Sequence, residues 1–223
     1  MEPEGTVPVV WVFCATPTEA RPVARRLRPW GDRVRVVETG IGPDAVRRGF
    51  EQERRRWEGK PRLVLSVGLA GGLDPKLRKG EVVGMADPAL EWVLEKVRIR
   101  PVRFTLSPTV LRRRQEKREW WERTGAEVVD METLALQEMA NREGIPFLAL
   151  RIIGDSAEED LPVDFSRFLD ERGGLRIWPL LGHVLAHPLR LFGLVRLGWE
   201  SRRWMQRLAG VVAQVMECVL GAS

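Results

Sequence analysis

Ionisable residues accompany two apolar stretches of the sequence that are typical of buried strands. Glu132 follows the stretch Glu127–Val129, whereas Arg151 and Asp155 lie in the stretch Leu148–Asp155. In open α/β sheets, ligands bind in the crevice beside the carboxyl ends of the strands. We therefore expect two carboxylates and an arginine at such strand ends, where they could bind a polar ligand and transfer protons. This arrangement predicts an enzyme.

The elements that must position these residues alternate between strand and helix. We predict strands at Val9–Phe13, Val34–Val37, Leu63–Val67, Glu81–Met85, Glu127–Val129 and Phe147–Ile153, and helices at Pro17–Leu27, Pro43–Trp57, Val110–Arg123 and Glu132–Arg142. Thr16 is the expected N-cap of the first helix. The stretch Gly68–Gly72 is expected to end the third strand, where the chain bends or a ligand approaches closely. Alternation of this kind predicts a layered α/β sheet.

Length and composition predict one globular domain over residues 1–223. With 223 residues and 44% hydrophobic content, the chain can build a core without disulfides. Cys14 lies in an apolar run, so we expect it to be a buried packing residue and not a nucleophile. No signal peptide and no run of about 20 apolar residues is recognisable. We therefore expect a cytoplasmic protein.

Positive charge is concentrated in arginine, and it is prominent near the carboxyl end. The net charge is +5, and the segment of about residues 176–221 interleaves arginines with apolar residues in a helical pattern. Such a helix can lie on an anionic membrane surface; the favoured alternative is a terminal helix that packs its apolar stripe on the sheet. Arg112–Arg114 precede Trp120 and Trp121, but acidic residues are interleaved, so we expect no nucleic-acid partner.

Four motifs, in this order, resemble the nucleoside phosphorylase and nucleosidase superfamily: Ala15–Glu19, Ser66–Leu73, Val129–Glu132 and Arg151–Asp155. The resemblance extends from about residue 9 to residue 164. Within the superfamily the chain is similar to methylthioadenosine/S-adenosylhomocysteine nucleosidases and, more closely, to the hopanoid-associated phosphorylase group. It implies a three-layer fold with a central twisted mixed sheet flanked by helices, followed here by a helical C-terminal tail. It also implies a homodimer or larger homo-oligomer.

The resemblance implies cleavage of the N-glycosidic bond of a purine nucleoside. This reaction develops positive charge on the ribose and negative charge on the departing base, so a proton donor and polar groups on the sugar lower the barrier. By resemblance, Asp155 protonates the purine at N7 and Glu19 activates water. Glu132 accepts hydrogen bonds from the ribose hydroxyls, and Met131 packs against the sugar.

Further positions follow from the same resemblance. Arg151 corresponds to an arginine that steadies the water or an anion, and Gly71 and Val110 correspond to positions whose backbones contact the base. Gly40 and Gly42, in a predicted tight turn, could form a phosphate-or-water site together with Arg151.

The sequence departs from the superfamily at several positions. Gly154 stands in place of a serine, Leu69 replaces a hydroxyl residue, and no aromatic residue accompanies Val110. The amino-terminal Gly-Asp-Pro turn that binds phosphate in the phosphorylases is missing. We therefore favour hydrolysis over phosphorolysis, and the resemblance implies adenosine linked to a hopanoid lipid as the substrate. A non-catalytic module that binds nucleosides or a membrane surface is the alternative from another class.

We expect no metal and no cofactor, apart from inorganic phosphate as co-substrate if the enzyme is a phosphorylase. His183 and His187 are four residues apart, but no third ligand accompanies them. The expected partners are a small nucleoside, carrying a lipid in the leading interpretation, and the inner face of the membrane, contacted peripherally through the C-terminal helix.

Overall fold

The computed structural model of the protein describes residues 9–161 and 188–221, with side chains described for 9–161 and 199–221. Its strands are β1 (Val10–Cys14), β2 (Val34–Glu38), β3 (Leu63–Gly72), β4 (Val82–Ala86), β5 (Arg100–Pro101), β6 (Phe104–Leu106), β7 (Val128–Asp130) and β8 (Phe147–Asp155). Its α-helices are α1 (Pro17–Leu27), α2 (Pro43–Arg56), α3 (Glu91–Lys96), α4 (Arg114–Thr124), α5 (Thr133–Arg142) and α6 (Pro188–Leu220). His183 and His187 lie outside the described residues, as does the part of the predicted C-terminal segment at 176–187.

The strands form one mixed sheet in the order β2-β1-β3-β8-β4-β5. β1 pairs in parallel with β2 and β3, and β3 pairs in parallel with β8, whereas β4 runs antiparallel to β8. β7 pairs antiparallel with the end of β3 and in parallel with β6. The predicted mixed α/β sheet is therefore confirmed.

Helices cover both faces of the sheet. On one face, apolar residues of α1 and α6 pack on alternate residues of β1, β3 and β8. On the other face, α2 and α5 pack around Trp11 and Phe13 of β1, and Phe50 of α2 stacks on Phe13. Successive strand side chains point to opposite faces, so one apolar strand contributes to both cores. This arrangement confirms the three layers.

The C-terminal helix α6 belongs to one of these layers. Met205, Leu208, Val212 and Val215 are fully buried against the sheet, whereas Trp199 is 79% exposed. The buried positions recur every three or four residues, which is the spacing of one helix face. The favoured interpretation, an apolar stripe packed on the sheet, is confirmed for residues 199–221. Among the described residues, no helix is both long enough and apolar enough to cross a membrane.

Several predicted boundaries differ from the structure. β3 does not end before the glycines but continues to Gly72. α4 begins at Arg114, not Val110, because Glu116 accepts the amide hydrogens of Arg112 and Arg113 and so starts the helix there. The stretch from residue 88 to 104, for which no helix or strand is predicted above, holds a 3₁₀ turn, α3, β5 and the beginning of β6.

Candidate functional site

The candidate site lies along the carboxyl half of β3, where the neighbouring strand changes. β1 pairs with β3 only as far as Ser66, and β7 begins to pair with it at Gly71. Between these two residues, this edge of β3 is not paired with either strand. Glu19, from the first turn of α1, fills the gap: its Oε1 accepts the amide hydrogen of Leu69 at 2.9 Å.

Glu19 is held in one orientation by further hydrogen bonds. Its Oε2 accepts the backbone N–H of Thr16 at 2.9 Å, which is one half of the capping box of α1, and it also accepts the Thr16 hydroxyl at 3.0 Å. The residue is 5% exposed. Because a carboxylate oxygen has two lone pairs, Oε1 retains capacity for one more donor, such as water.

Glycine at position 68 is required by this carboxylate and not by a bend. A Cβ built on Gly68 would lie 2.6 Å from Glu19 Oε1. A protein carboxylate approaches the glycine-rich stretch here, so the expected approach of a ligand stays a prediction, whereas the predicted end of the strand is wrong. An extended strand accommodates glycines here because carboxylates of α1 and β8 approach its backbone.

Asp155 is the last residue of β8 and lies beside Gly71 of β3. A Cβ on Gly71 would be 3.5 Å from Asp155 Oδ2 and 3.2 Å from Val129 Cγ1. Gly71 therefore leaves open the space next to the carboxyl group. Because Gly68 and Gly71 are three residues apart, the points of β3 that Glu19 and Asp155 approach are separated by about 10 Å along the strand.

The end of β8 contains an irregularity that directs Asp155. Ala70 pairs with Ile153, but Gly71 pairs with Asp155, so Gly154 is an extra residue in β8. Bulges of this kind re-aim side chains next to active sites. Leu69 packs over the bulge: a Cβ on Gly154 would lie 3.3 Å from Leu69 Cδ2. The two departures from the superfamily are thus in contact, because Leu69 occupies space beside the position of the missing serine.

The carboxyl group of Asp155 pairs with a lysine that sequence reasoning missed. The Asp155 side chain is 16% exposed, and Lys117 Nζ of α4 lies 2.5 Å from its Oδ2. Burial raises the pKa of Asp155 above its ordinary value, and Lys117 opposes that rise. No local signal distinguished Lys117, because most positions of α4 carry a charged residue.

Arg151 is predicted at the end of its strand, and this prediction is wrong. The residue lies in the middle of β8 and is only 2% exposed. Its Nε donates to Asp130 Oδ2 at 2.8 Å, and one of its terminal nitrogens donates to Ser66 Oγ at 2.8 Å. Asp130 in turn accepts the backbone N–H and the hydroxyl of Thr133 at the start of α5. Arg151 therefore ties β3, β7 and β8 together.

Glu132 immediately precedes α5 and faces the predicted glycine turn. Its Oε1 accepts the amide hydrogen of Gly42 at 2.6 Å. Burial and the neighbouring Asp130 raise the pKa of Glu132 to about 8, although the Gly42 hydrogen bond and Arg151 favour its charged form. Met131 lies beside the same turn: its Cε is 3.9 Å from the position that a Cβ on Gly42 would occupy.

The predicted tight turn joins β2 to α2. Gly40 and Gly42 have φ angles of 92° and 97°, which glycine adopts without strain. Gly40 donates its amide hydrogen to Ala15 O at 2.9 Å, and Gly42 donates to Glu132. These two amides of the candidate phosphate-or-water site are thus already hydrogen-bonded within the protein.

Val110 lies half-buried in the connection between β6 and α4. This connection begins beside β7, where Ser107 donates its amide hydrogen to Asp130 O at 3.1 Å. It ends beside the turn that follows Asp155, where Leu161 donates to Arg112 O at 2.9 Å. The segment with Val110 therefore runs between the Asp130 and Asp155 sides of the site.

Carboxyl groups outnumber basic groups in this part of the molecule. Glu19 and Asp130 act electrostatically on Glu132, and Arg151 is the cation that opposes them. Burial and Glu19 raise the pKa of the Cys14 thiol well above its ordinary value, so Cys14 is a buried neutral thiol, as predicted. Among the described residues, no group of three or more His, Cys, Asp or Glu side chains is arranged to hold a metal ion.

Comparison with known proteins agrees with this architecture. The sequence model of the Phosphorylase superfamily matches residues 84–174. A comparison with curated proteins finds no match.

Solved structures provide the broader similarity. Futalosine hydrolase of Helicobacter pylori superposes with a TM-score of 0.70 at 12% identity, covering 95% of this chain and 98% of its own. The S-adenosylhomocysteine nucleosidase of Streptococcus pyogenes, in complex with 5-methylthiotubericidin, gives 0.69 at 13% identity, covering 94% and 96%. The 5'-methylthioadenosine/S-adenosylhomocysteine nucleosidase of Helicobacter pylori gives 0.66 at 12% identity, covering 97% and 99%. The fold and the sequence match together confirm the predicted resemblance of this chain to the nucleoside phosphorylase superfamily.

Proposed function

We propose that the protein is an enzyme that hydrolyses the N-glycosidic bond of a purine nucleoside and releases adenine. The observation that carries this proposal is the placement of Asp155 beside Gly71 of β3, with Glu19 bonded to Leu69 of the same strand and Glu132 bonded to the turn at Gly42. The fold shared with nucleosidases supports it, as does the nucleoside analogue bound to one of them.

The proposed reaction begins at the base. Asp155, in its protonated form, gives its proton to N7 of the purine while the electron pair of the C1′–N9 bond moves to the base. Burial favours the protonated form that this step needs. The backbones of Gly71 and Val110 contact the base in this proposal.

The ribose left behind carries oxocarbenium character, and the acidic part of the site suits that charge. Glu132 accepts hydrogen bonds from the ribose hydroxyls, and Met131 packs against the sugar. Glu19 removes a proton from water as the water oxygen bonds to C1′. Arg151 acts indirectly, by holding Asp130 and the strand ends in place, because its nitrogens already donate to Asp130 and Ser66.

Charge and hydrogen bonding favour water over phosphate as the nucleophile. A phosphate dianion would meet Glu19, Asp130 and Glu132, and Arg151 is already paired with Asp130. The amide of Gly42 donates to Glu132 and not outward. Phosphorolysis would require Arg151 and the Gly42 amide to give up these partners, so phosphorolysis is the second of the two reactions that we propose.

For the substrate, we propose adenosine that carries a lipid of the hopanoid class. The resemblance of the sequence motifs supports this choice, together with the exposed Trp199 and the arginines of α6, which suit an anionic membrane surface. We also propose a single domain, a homodimer or larger homo-oligomer, and a cytoplasmic location beside the inner face of the membrane.

Product analysis tests the proposal. Purified protein is incubated with adenosine, methylthioadenosine and a lipid-linked adenosine, with and without inorganic phosphate, and the products are resolved by mass. We expect free adenine and a reducing sugar without phosphate. A sugar phosphate that forms only with phosphate would establish phosphorolysis, and intact nucleoside with saturable binding would establish the binding module.

Replacement of the acid supplies the residue-level test. We expect Asp155→Asn to lower kcat at least 100-fold, because general acid catalysis contributes about 10²–10⁴-fold. Asp44→Asn, a matched change at an exposed aspartate of α2, should keep wild-type turnover. Full activity in Asp155→Asn, with the fold intact by circular dichroism, would refute the role of Asp155.

A further inference from the structure

Lys117 is a buried cation in a helix that is otherwise rich in solvated charge. Its side chain is 0% exposed, whereas the side chains of Arg114, Arg118 and Glu122 in α4 are 59–78% exposed. Burying an ammonium group is costly unless charge and hydrogen bonds compensate it. Its position therefore requires an explanation from its contacts.

The contacts of Lys117 use all three of its N–H donors. Nζ lies 2.5 Å from Asp155 Oδ2, and it donates to Ser156 O at 2.7 Å and to Glu159 O at 2.8 Å. These acceptors belong to Asp155 and to the turn that follows it. Two more bonds join the same regions, Arg114 N to Asp160 Oδ1 and Leu161 N to Arg112 O. The turn after β8 is thus fastened to the start of α4.

Other charged groups near Asp155 are committed elsewhere. Lys79, between β3 and β4, also favours the charged form of Asp155, whereas Glu159 disfavours it. Lys79 pairs with Glu159 at 3.1 Å and with Glu200 of α6 at 3.6 Å. Among the residues that the structure describes, Lys117 is therefore the cation in direct contact with Asp155.

We propose that Lys117 is the positioning residue of the general acid: it engages Oδ2 of Asp155 and leaves Oδ1 directed toward the nucleobase. This inference rests on the proposed function of Asp155. The proton moves from Asp155 Oδ1 to N7, and the carboxylate that remains is stabilised by the Lys117 ammonium, which keeps its own three protons. Water supplies the proton that restores Asp155 after the base has left.

The ammonium group has a measurable consequence besides activity. Burial raises the pKa of Asp155 and Lys117 lowers it, so removing the positive charge should let it rise further. An opposite charge at this range shifts a carboxyl pKa by about 1–3 units. A lysine that only filled space would have no such effect.

The test compares Lys117→Met, Lys117→Arg and the control Lys96→Met, which removes a lysine that lies on Trp92 in α3. Carboxyl ¹³C NMR titration of the unliganded protein, with the Asp155 signal assigned from Asp155→Asn, gives the pKa of Asp155. We expect Lys117→Met to raise it by at least about one unit. In Lys117→Arg the pKa of Asp155 should stay nearer to its wild-type value. In the control Lys96→Met it should equal the wild-type value.

Kinetics supply the second readout. We expect Lys117→Met to lower kcat at neutral pH at least tenfold with KM nearly unchanged, and to move the alkaline limb of the kcat profile to higher pH. Partial recovery in Lys117→Arg should follow, because the charge is kept while the contact geometry changes. An unchanged pKa and an unchanged kcat profile in folded Lys117→Met would overturn the inference.

An unstable variant can be distinguished from a failure of the proposed function. If Lys117→Met is too unstable to titrate, Lys117→Met/Asp155→Asn should melt at a higher temperature, because it no longer buries an unpaired carboxylate. A double variant that melts no higher would overturn the pairing. If wild type cleaves no nucleoside, the proposed function fails, and the titration still decides whether Lys117 controls Asp155.

Discussion

Glu132 is a carboxyl group whose charged form is disfavoured by its surroundings. Burial and Asp130 raise its pKa to about 8, and the single hydrogen bond from Gly42 does not compensate for them. A residue positioned to accept ribose hydroxyls must hold its polar oxygens inside the protein, away from bulk water. At this residue, therefore, the proposed function and the stability of the fold oppose each other.

Glu132→Gln should remove the destabilisation that arises when the buried carboxyl group of Glu132 ionises. The ordinary pKa of the group is 4.5 and the folded value is about 8, so between these pH values the folded protein holds a proton that the unfolded chain has released. The contribution of Glu132 to the free energy of unfolding therefore falls as pH rises through this window. We expect the melting temperature of Glu132→Gln, measured relative to that of wild type, to increase from pH 5 to 8. Above about pH 8 the difference should become constant.

Thermal melts from pH 5 to 9 measure this difference, with Glu122→Gln, an exposed change in α4, as the control. The control should remain parallel to wild type. A parallel curve for Glu132→Gln as well would show that Glu132 is charged in the folded protein over this range.

β3 is the element around which the site is built. Its first half pairs with β1, its last two residues pair with β7, and Glu19 bonds to the edge between them. A regular strand with side chains at positions 68 and 71 would exclude both Glu19 and the space beside Asp155. The glycines of β3 therefore serve the site, at the cost of strand propensity.

Gly68→Ala should disrupt the site without disrupting the sheet. The added methyl would lie 2.6 Å from Glu19 Oε1, so the carboxylate must move away from Leu69. We expect kcat to fall at least tenfold, with the far-ultraviolet circular dichroism unchanged. Gly210→Ala in α6 is the matched control, because its methyl meets no atom within 4 Å, and it should stabilise the protein by about 0.5–1 kcal/mol. Equal kcat in the two variants would argue against Glu19 as the water-activating group.

At the scale of the whole molecule, α6 packs beside α1 and covers the part of their shared sheet face that α1 leaves open. Its buried stripe joins the core that contains β1, β3 and β8, and Trp30 and Arg33 bond to the carbonyls at its end. Its outer side presents arginines and Trp199. One helix thus combines a stabilising inner face with an outer face of the composition we propose for membrane contact.

Two substitutions in α6 should separate these roles. Leu208→Ala removes a fully buried side chain, so we expect it to lower the free energy of unfolding by about 2–5 kcal/mol. Trp199→Ala should leave stability within about 0.5 kcal/mol of wild type and weaken binding to anionic phosphatidylglycerol vesicles in a sedimentation assay. Equal vesicle binding by wild type and Trp199→Ala would count against membrane contact through Trp199.

The sequence by itself determined the order of the strands and helices other than α3, β5 and β6, the layered α/β class and the positions of Glu19, Glu132 and Asp155 at element ends. These features are local: apolar runs, caps and short motifs within a few residues of one another specify them. The continuation of β3 through Gly72 escaped this reasoning, because glycine-rich turns and glycine-rich strands look alike without their neighbours.

Only the tertiary structure decided the partners of these residues. Gly42 and Glu132 are 90 residues apart in the chain, and Ser66 and Arg151 are 85 apart. Lys117 of helix α4 reaches Asp155 at the end of strand β8, and Leu69 of β3 contacts the position of Gly154 on the neighbouring strand β8. Local sequence cannot specify such pairs, because the sheet order and the packing of α4 bring them together. The charge states of Asp155 and Glu132 depend on those partners and on burial, so they too are properties of the folded chain.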